Sequence, residues 1–197
     1  MAKAFQILAL DEIAAAGVER FPSGRYVVST GVTHPDAILA CTHDMQAMEI
    51  PATVRAVAIA GAEYGNVPVN SMSVRGVPVF ITPGISGLDG CAVMAADQVR
   101  EYLEHGNISN AVNFPDVTMP RESGFRLGVA NSGASSMQGK ISTTLAGAGI
   151  NICNMINKSR GDISYTLVDV DSKIPQLLIA QIAAIPGVLM VRDLTLE

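Results

Sequence analysis

Two short, uninterrupted apolar runs, residues 57–60 and 77–81, set the first limit on what this chain can fold into. Each has the length of a strand and is flanked by glycine. Neither alternates apolar with polar, as a half-solvated strand would. They predict strands buried on both faces of a parallel sheet. Parallel neighbours need a crossover, and residues 69–74 between the runs predict the short helix that supplies it. Residues 4–10, 26–30 and 37–41 predict further strands, the last following the turn signal His34-Pro35-Asp36. Asp11 is placed to N-cap a helix over 12–18, and residues 50–55 predict one helical turn with Pro51 near its start.

The cluster Thr82-Pro83-Gly84-Ile85-Ser86-Gly87 then breaks any regular element. The clearest helix follows over 88–105, where Leu88, Cys91, Ala92, Ala95, Val99, Tyr102 and Leu103 recur at i, i+3, i+4 spacing. Gly106 stands where such a helix ends. Residues 107–121, with Pro115 and Pro120, predict an irregular linker. The remainder predicts strand 126–130, helix 136–148, strand 150–157, turn 158–162, strand 163–170, helix 175–185 and strand 188–194. That is a βαββαβ, ferredoxin-like order. The expected class is α/β: a small flavodoxin-like parallel-sheet domain over 1–121, then a second domain over 122–197.

Composition narrows the function classes. The chain has 197 residues, 49% hydrophobic and 16% charged, which is enough core and too little charge for disorder. Its longest apolar stretch is about seven residues, against roughly 20 for a membrane span. The start of the chain does not read as a signal peptide. A net charge of −5 argues against a nucleic-acid partner. Cys41, Cys91 and Cys153 are far apart, odd in number and without a C-x-x-C pair. They suit a reducing, cytoplasmic setting and argue against a disulfide or zinc scaffold. His34, His43 and His105 have no acidic orienter at useful spacing. No catalytic residue, metal or cofactor is expected.

The string 148–162, AGINICNMINKSRGD, and the segments 165–171 and 187–192 resemble the ACT domain of the D-3-phosphoglycerate dehydrogenase family. His34-Pro35-Asp36-Ala37-Ile38-Leu39, Met48-Glu49-Ile50-Pro51 and Arg75-Gly76-Val77-Pro78-Val79-Phe80 resemble the substrate domain of the same family, and 91–98 and 110–115 its returning segment. The resemblance implies a gap. In the family an entire dinucleotide-binding domain separates the Thr-Pro-Gly strand end from the returning helix, and here about six residues, 85–90, stand between them. The omitted piece would carry the G-x-G-x-x-G loop, the acidic ribose-binding residue and the Arg, Glu and His of hydride transfer. Gly84, Gly87 and Gly90 have the wrong spacing for that loop. No dehydrogenase activity is therefore expected.

The resemblance also locates two altered sites. Cys41-Thr42 stand where the family has Arg-Ser, so a substrate-holding cation is missing. Gly61-Ala62-Glu63-Tyr64-Gly65-Asn66 replaces a glycine-rich anion loop, with Glu63 adding negative charge. Gly61, Gly65 and Asn66 form either a residual anion nest or a plain glycine turn. At the first strand–helix junction of the ACT-like unit, Asn131 keeps the first ligand position, Gly133 replaces a second polar ligand and Ser135 replaces a proline. Ser135 or Ser136 could cap the following helix, leaving N–H groups that favour a carboxylate. Asn151 keeps the position that contributes across an ACT–ACT interface. Asn131, Gly133, Ser135, Ser136 and Asn151 are thus the candidate effector site, the alternative being that the two asparagines only satisfy backbone groups. The expected protein is a homodimer through the ACT-like domain with an amino-acid effector such as serine. The alternatives are a regulatory subunit of a full-length dehydrogenase or an enzyme of different activity.

Overall fold

The computed structural model describes residues 4–133 and 136–196. Strands β1 (Phe5–Ala9), β2 (Tyr26–Ser29), β3 (Ala37–Ala40), β4 (Ala56–Ile59) and β5 (Val79–Phe80) form a wholly parallel sheet. Their order is β2-β1-β3-β4-β5, the flavodoxin-like arrangement whose winding reverses between β1 and β3. Every residue of β3 and β4 is buried, as an unalternating apolar run requires. Helices α1 (Ala15–Val18), α2 (Val69–Val74) and α3 (Leu88–His105) complete this half. Ile7, Leu39, Ala58 and Phe80 pack one sheet face onto Ala95, Val99 and Tyr102 of α3. Leu8, Ile38, Val57 and Val79 point the other way, into a core with Met45, Val67 and Met72. Gly17 permits the closest approach of α1 to α3, since a Cβ there would lie 2.6 Å from that of Ala92.

A separate antiparallel sheet follows. Strands β6 (Phe125–Asn131), β7 (Ile152–Arg160), β8 (Ile163–Val170) and β9 (Val188–Asp193) lie in the order β7-β8-β6-β9. Helices α4 (Met137–Gly147) and α5 (Gln176–Ala183) cover one face, through Ile141, Leu145, Leu178 and Ile182 against Leu127, Val129 and Val168. The other face sends Ala130, Tyr165 and Leu167 into the same core as α3. The two sheets thus share apolar packing instead of hanging on a tether.

Several local expectations are corrected. Asp11 does not cap a helix: α1 begins at Ala15 after Ala14, with no side-chain cap. Residues 50–55 make a single turn, with the Val54 N–H on the Pro51 carbonyl at 3.1 Å, and go no further into helix; the Arg75 guanidinium also takes the carbonyls of Ile50 and Pro51, at 3.0 and 2.7 Å. β7 runs on to Arg160, so the expected turn over 158–162 shrinks to Gly161 and Asp162. Residues 107–121 are irregular but are not a loose linker. Ile108 and Val117 exchange backbone hydrogen bonds of 2.8 and 2.9 Å, and Ala111 bridges Phe80. Asn113 accepts the Val79 N–H at 2.9 Å. The segment caps the β5 edge that would otherwise be open.

Arginines from the second half close the carboxyl end of α3. Arg192 donates to the carbonyls of Tyr102 and Leu103, both at 2.8 Å, and lies 4.2 Å over the Tyr102 ring. Arg121 reaches the carbonyl of Glu104 and Arg126 that of His105, both at 3.1 Å. Every carbonyl of the last helical turn thereby meets a guanidinium, whose charge also suits the negative end of the helix dipole. Arg126 is fully buried, forks onto the equally buried Asp169, and donates to the carbonyls of Met119 and Pro120.

Candidate functional site

The junction between β6 and α4 gathers most of the expected effector residues. Asn131 ends β6 fully buried. Its Oδ1 accepts the Gly133 N–H at 3.1 Å, while Nδ2 has no partner among the described residues. Gly133 has φ +65°, and a Cβ there would sit 3.1 Å from the Asp162 carbonyl oxygen. The position thus favours glycine on conformation and on space. Ser136 precedes α4 with φ 64° and makes no side-chain cap bond, so the expected capping role is not taken by this residue. Ser135, the other expected capping residue, lies outside the described residues.

Asn151 is not beside them. Asn131 pairs with Ser164, whereas Ile152, next to Asn151, pairs with Val170 at the far end of the same sheet. At the usual strand rise the two asparagines are separated by about 20 Å. Asn151 Nδ2 donates to Asp171 Oδ2 at 2.7 Å and its backbone N–H reaches Asp171 Oδ1 at 3.2 Å. The Asn151 amide and the Ser172 hydroxyl hold the Asp171 carboxyl below its ordinary range.

The second expected site is engaged internally. Asn66 Nδ2 donates to the His43 carbonyl at 2.8 Å, and the Gly65 carbonyl accepts from Gln46 at 2.9 Å. Gly61 accepts the Thr82 N–H at 2.9 Å. Neither Gly61 nor Gly65 adopts a positive φ.

An anion cradle lies one loop away, and the chain fills it itself. The consecutive N–H groups of Cys41, Thr42 and His43 converge on Asp11 Oδ2 at 2.6, 3.0 and 3.1 Å. Partial burial pushes the Asp11 carboxyl up, but these N–H groups and the nearby His43 outweigh it and hold the carboxyl below its usual range. Asp11→Ala is expected to cost about 2 kcal/mol in a urea melt, from hydrogen bonds to a charged acceptor. The native value lies below the unfolded one. The contribution is therefore complete above about pH 4 and fades as pH falls through the native value, where the two melts should converge. No sequence signal pairs residue 11 with 41–43, because the contact joins the ends of two neighbouring parallel strands.

No protein-family model matches the chain. The curated D-3-phosphoglycerate dehydrogenase of Escherichia coli (strain K12) is 25% identical over 121 residues, covering 58% of this chain and 30% of that enzyme. The D-3-phosphoglycerate dehydrogenase of Shigella flexneri matches with the same identity and coverage. The chain thus matches under two thirds of the length of these relatives. Among solved structures, an unknown protein from Galdieria sulphuraria is 20% identical at a TM-score of 0.33, covering 37% of this chain and 44% of that one. A homoserine dehydrogenase from Thiobacillus denitrificans is 17% identical at a TM-score of 0.32, covering 57% of this chain and 29% of that one. Among the described residues no helix is long and apolar enough to cross a membrane, and no cluster of metal-ligating side chains occurs.

Proposed function

We propose that the chain is a non-catalytic relative of D-3-phosphoglycerate dehydrogenase, a cytoplasmic homodimer whose ACT-like half binds an amino acid, with L-serine the first candidate. The observation that carries this reading is Asn131. A wholly buried amide whose Nδ2 has no partner among the described residues, ahead of an eleven-residue helix, is costly unless something else accepts from it. A ligand carboxylate would do so, with the first N–H groups of α4 as co-donors.

What supports the dimer is the free side of β7, which bounds its sheet and is largely exposed or half-exposed. Two copies of β7 pairing antiparallel about Ile156 would set Asn151 of the partner subunit opposite Gly161. The turn at 161–162 already touches Gly133. Residues 20 Å apart in one chain would then meet at one ligand, with the Asp171 carboxylate beside Asn151 suiting the ammonium end. The same edge would admit a full-length dehydrogenase, which makes co-purification with that enzyme the test of a regulatory-subunit role. The non-catalytic part rests on the missing G-x-G-x-x-G loop, and turnover of 3-phosphoglycerate with NAD would overturn it.

Calorimetric titration with L-serine, then glycine, is the deciding measurement. Saturable binding is expected, weakened about tenfold or more in both Asn131→Ala and Asn151→Ala. Silence from a folded sample, or binding indifferent to both substitutions, would remove the effector reading.

A further inference from the structure

We propose a second ligand site in the parallel-sheet half, for a small organic cation: a protonated amine on a short apolar body. A cavity of about 580 Å³ opens at the carboxyl ends of β1, β3 and β4. This is where the winding reverses between β1 and β3, and loops after such strands diverge and leave a crevice. Its walls are Ile13, Ala14, Val18, Ala60, Leu88 and Ala92, with the Cys41 thiol among them. Leu88 is 75% exposed and Val18 37%, so the rim leaves apolar side chains uncovered that a ligand body would shield.

Charge selects the head group. Among the described residues, Glu12 and Glu19 are the only charged ones lining the cavity, and no Lys, Arg or His joins them. The opposing feature is the amino end of α3, which favours anions, but Asp89 already stands in its first turn. The cradle at 41–43, which could otherwise hold an anion nearby, is occupied by Asp11. What remains is an apolar slot with a negative rim. The site is independent of the amino-acid reading, since Asn131 belongs to the other sheet.

The test is amide-shift NMR on the intact chain with n-hexylamine, hexanoate and 1-hexanol as probes. Hexylamine is expected to give saturable shifts at Ile13, Val18, Cys41 and Ala92, weakening as salt is raised. Hexanoate should bind at least about fivefold more weakly, and Glu12→Gln with Glu19→Gln should weaken hexylamine about tenfold while leaving hexanol unchanged. Ala15→Phe, at an exposed position on the cavity wall, should abolish all three. Hexanoate binding as well as hexylamine, hexylamine indifferent to the paired glutamines, or no saturable shift from a folded sample would each overturn the proposal.

Discussion

Arg126→Met is expected to cost about 4 kcal/mol, a large share of the stability of a domain this size. The side chain is fully buried and spends all its N–H donors: two on Asp169 and three on the carbonyls of His105, Met119 and Pro120. Removing it strands an equally buried carboxylate, which also accepts the Glu122 N–H at 2.9 Å. The cost is that of an uncompensated charge, so deleting both charges should cost less than deleting one. Urea melts of Arg126→Met, Asp169→Leu and the double variant form the cycle. A double variant as unstable as the sum of the singles would mean the pair adds nothing and the lost carbonyl bonds explain everything.

Gly106→Ala is expected to cost about 3 kcal/mol, combining left-handed strain with overpacking. Gly106 ends α3 with φ +75°, and a Cβ there would lie 2.6 Å from Leu194, 2.7 Å from Leu167 and 3.0 Å from the Tyr165 hydroxyl. Those three residues belong to the second sheet and its tail, so the added methyl would push the halves apart. Gly139→Ala is the control. It lies inside α4 with nothing near its Cβ, and should stabilise by about 0.5 kcal/mol or more. Equal losses from both substitutions would show that the Gly106 contacts do not matter.

The elements written into local pattern were legible. The unbroken runs at 57–60 and 77–81 gave parallel strands, although β5 shortens to Val79–Phe80, and the heptad-like stripe at 88–105 gave α3. Contacts between distant stretches were not. Arg121, Arg126 and Arg192 are unremarkable cations in sequence and meet only because α3 ends between two sheets. The segment 107–121 reads as a linker by Pro115 and Pro120, but its apolar residues decide its packing. Ile108, Ala111, Phe114 and Val117 fall at a spacing of three, and all are buried; that periodicity was the available signal. At the junction of β6 and α4, the residue types at 131 and 133 were legible. The left-handed backbone at Ser136, which goes with its missing cap bond, carries no sequence mark.

The connection from Phe80 to Leu88 leaves and re-enters the parallel-sheet half on one side, and nothing lies within 4 Å of a Cβ built at Gly84 or Gly87. Neither strand ladder runs through it. A whole folded body could be spliced in or cut out there without rethreading the chain. The connection is a seam in the architecture, and a change confined to it leaves the scaffold on either side intact.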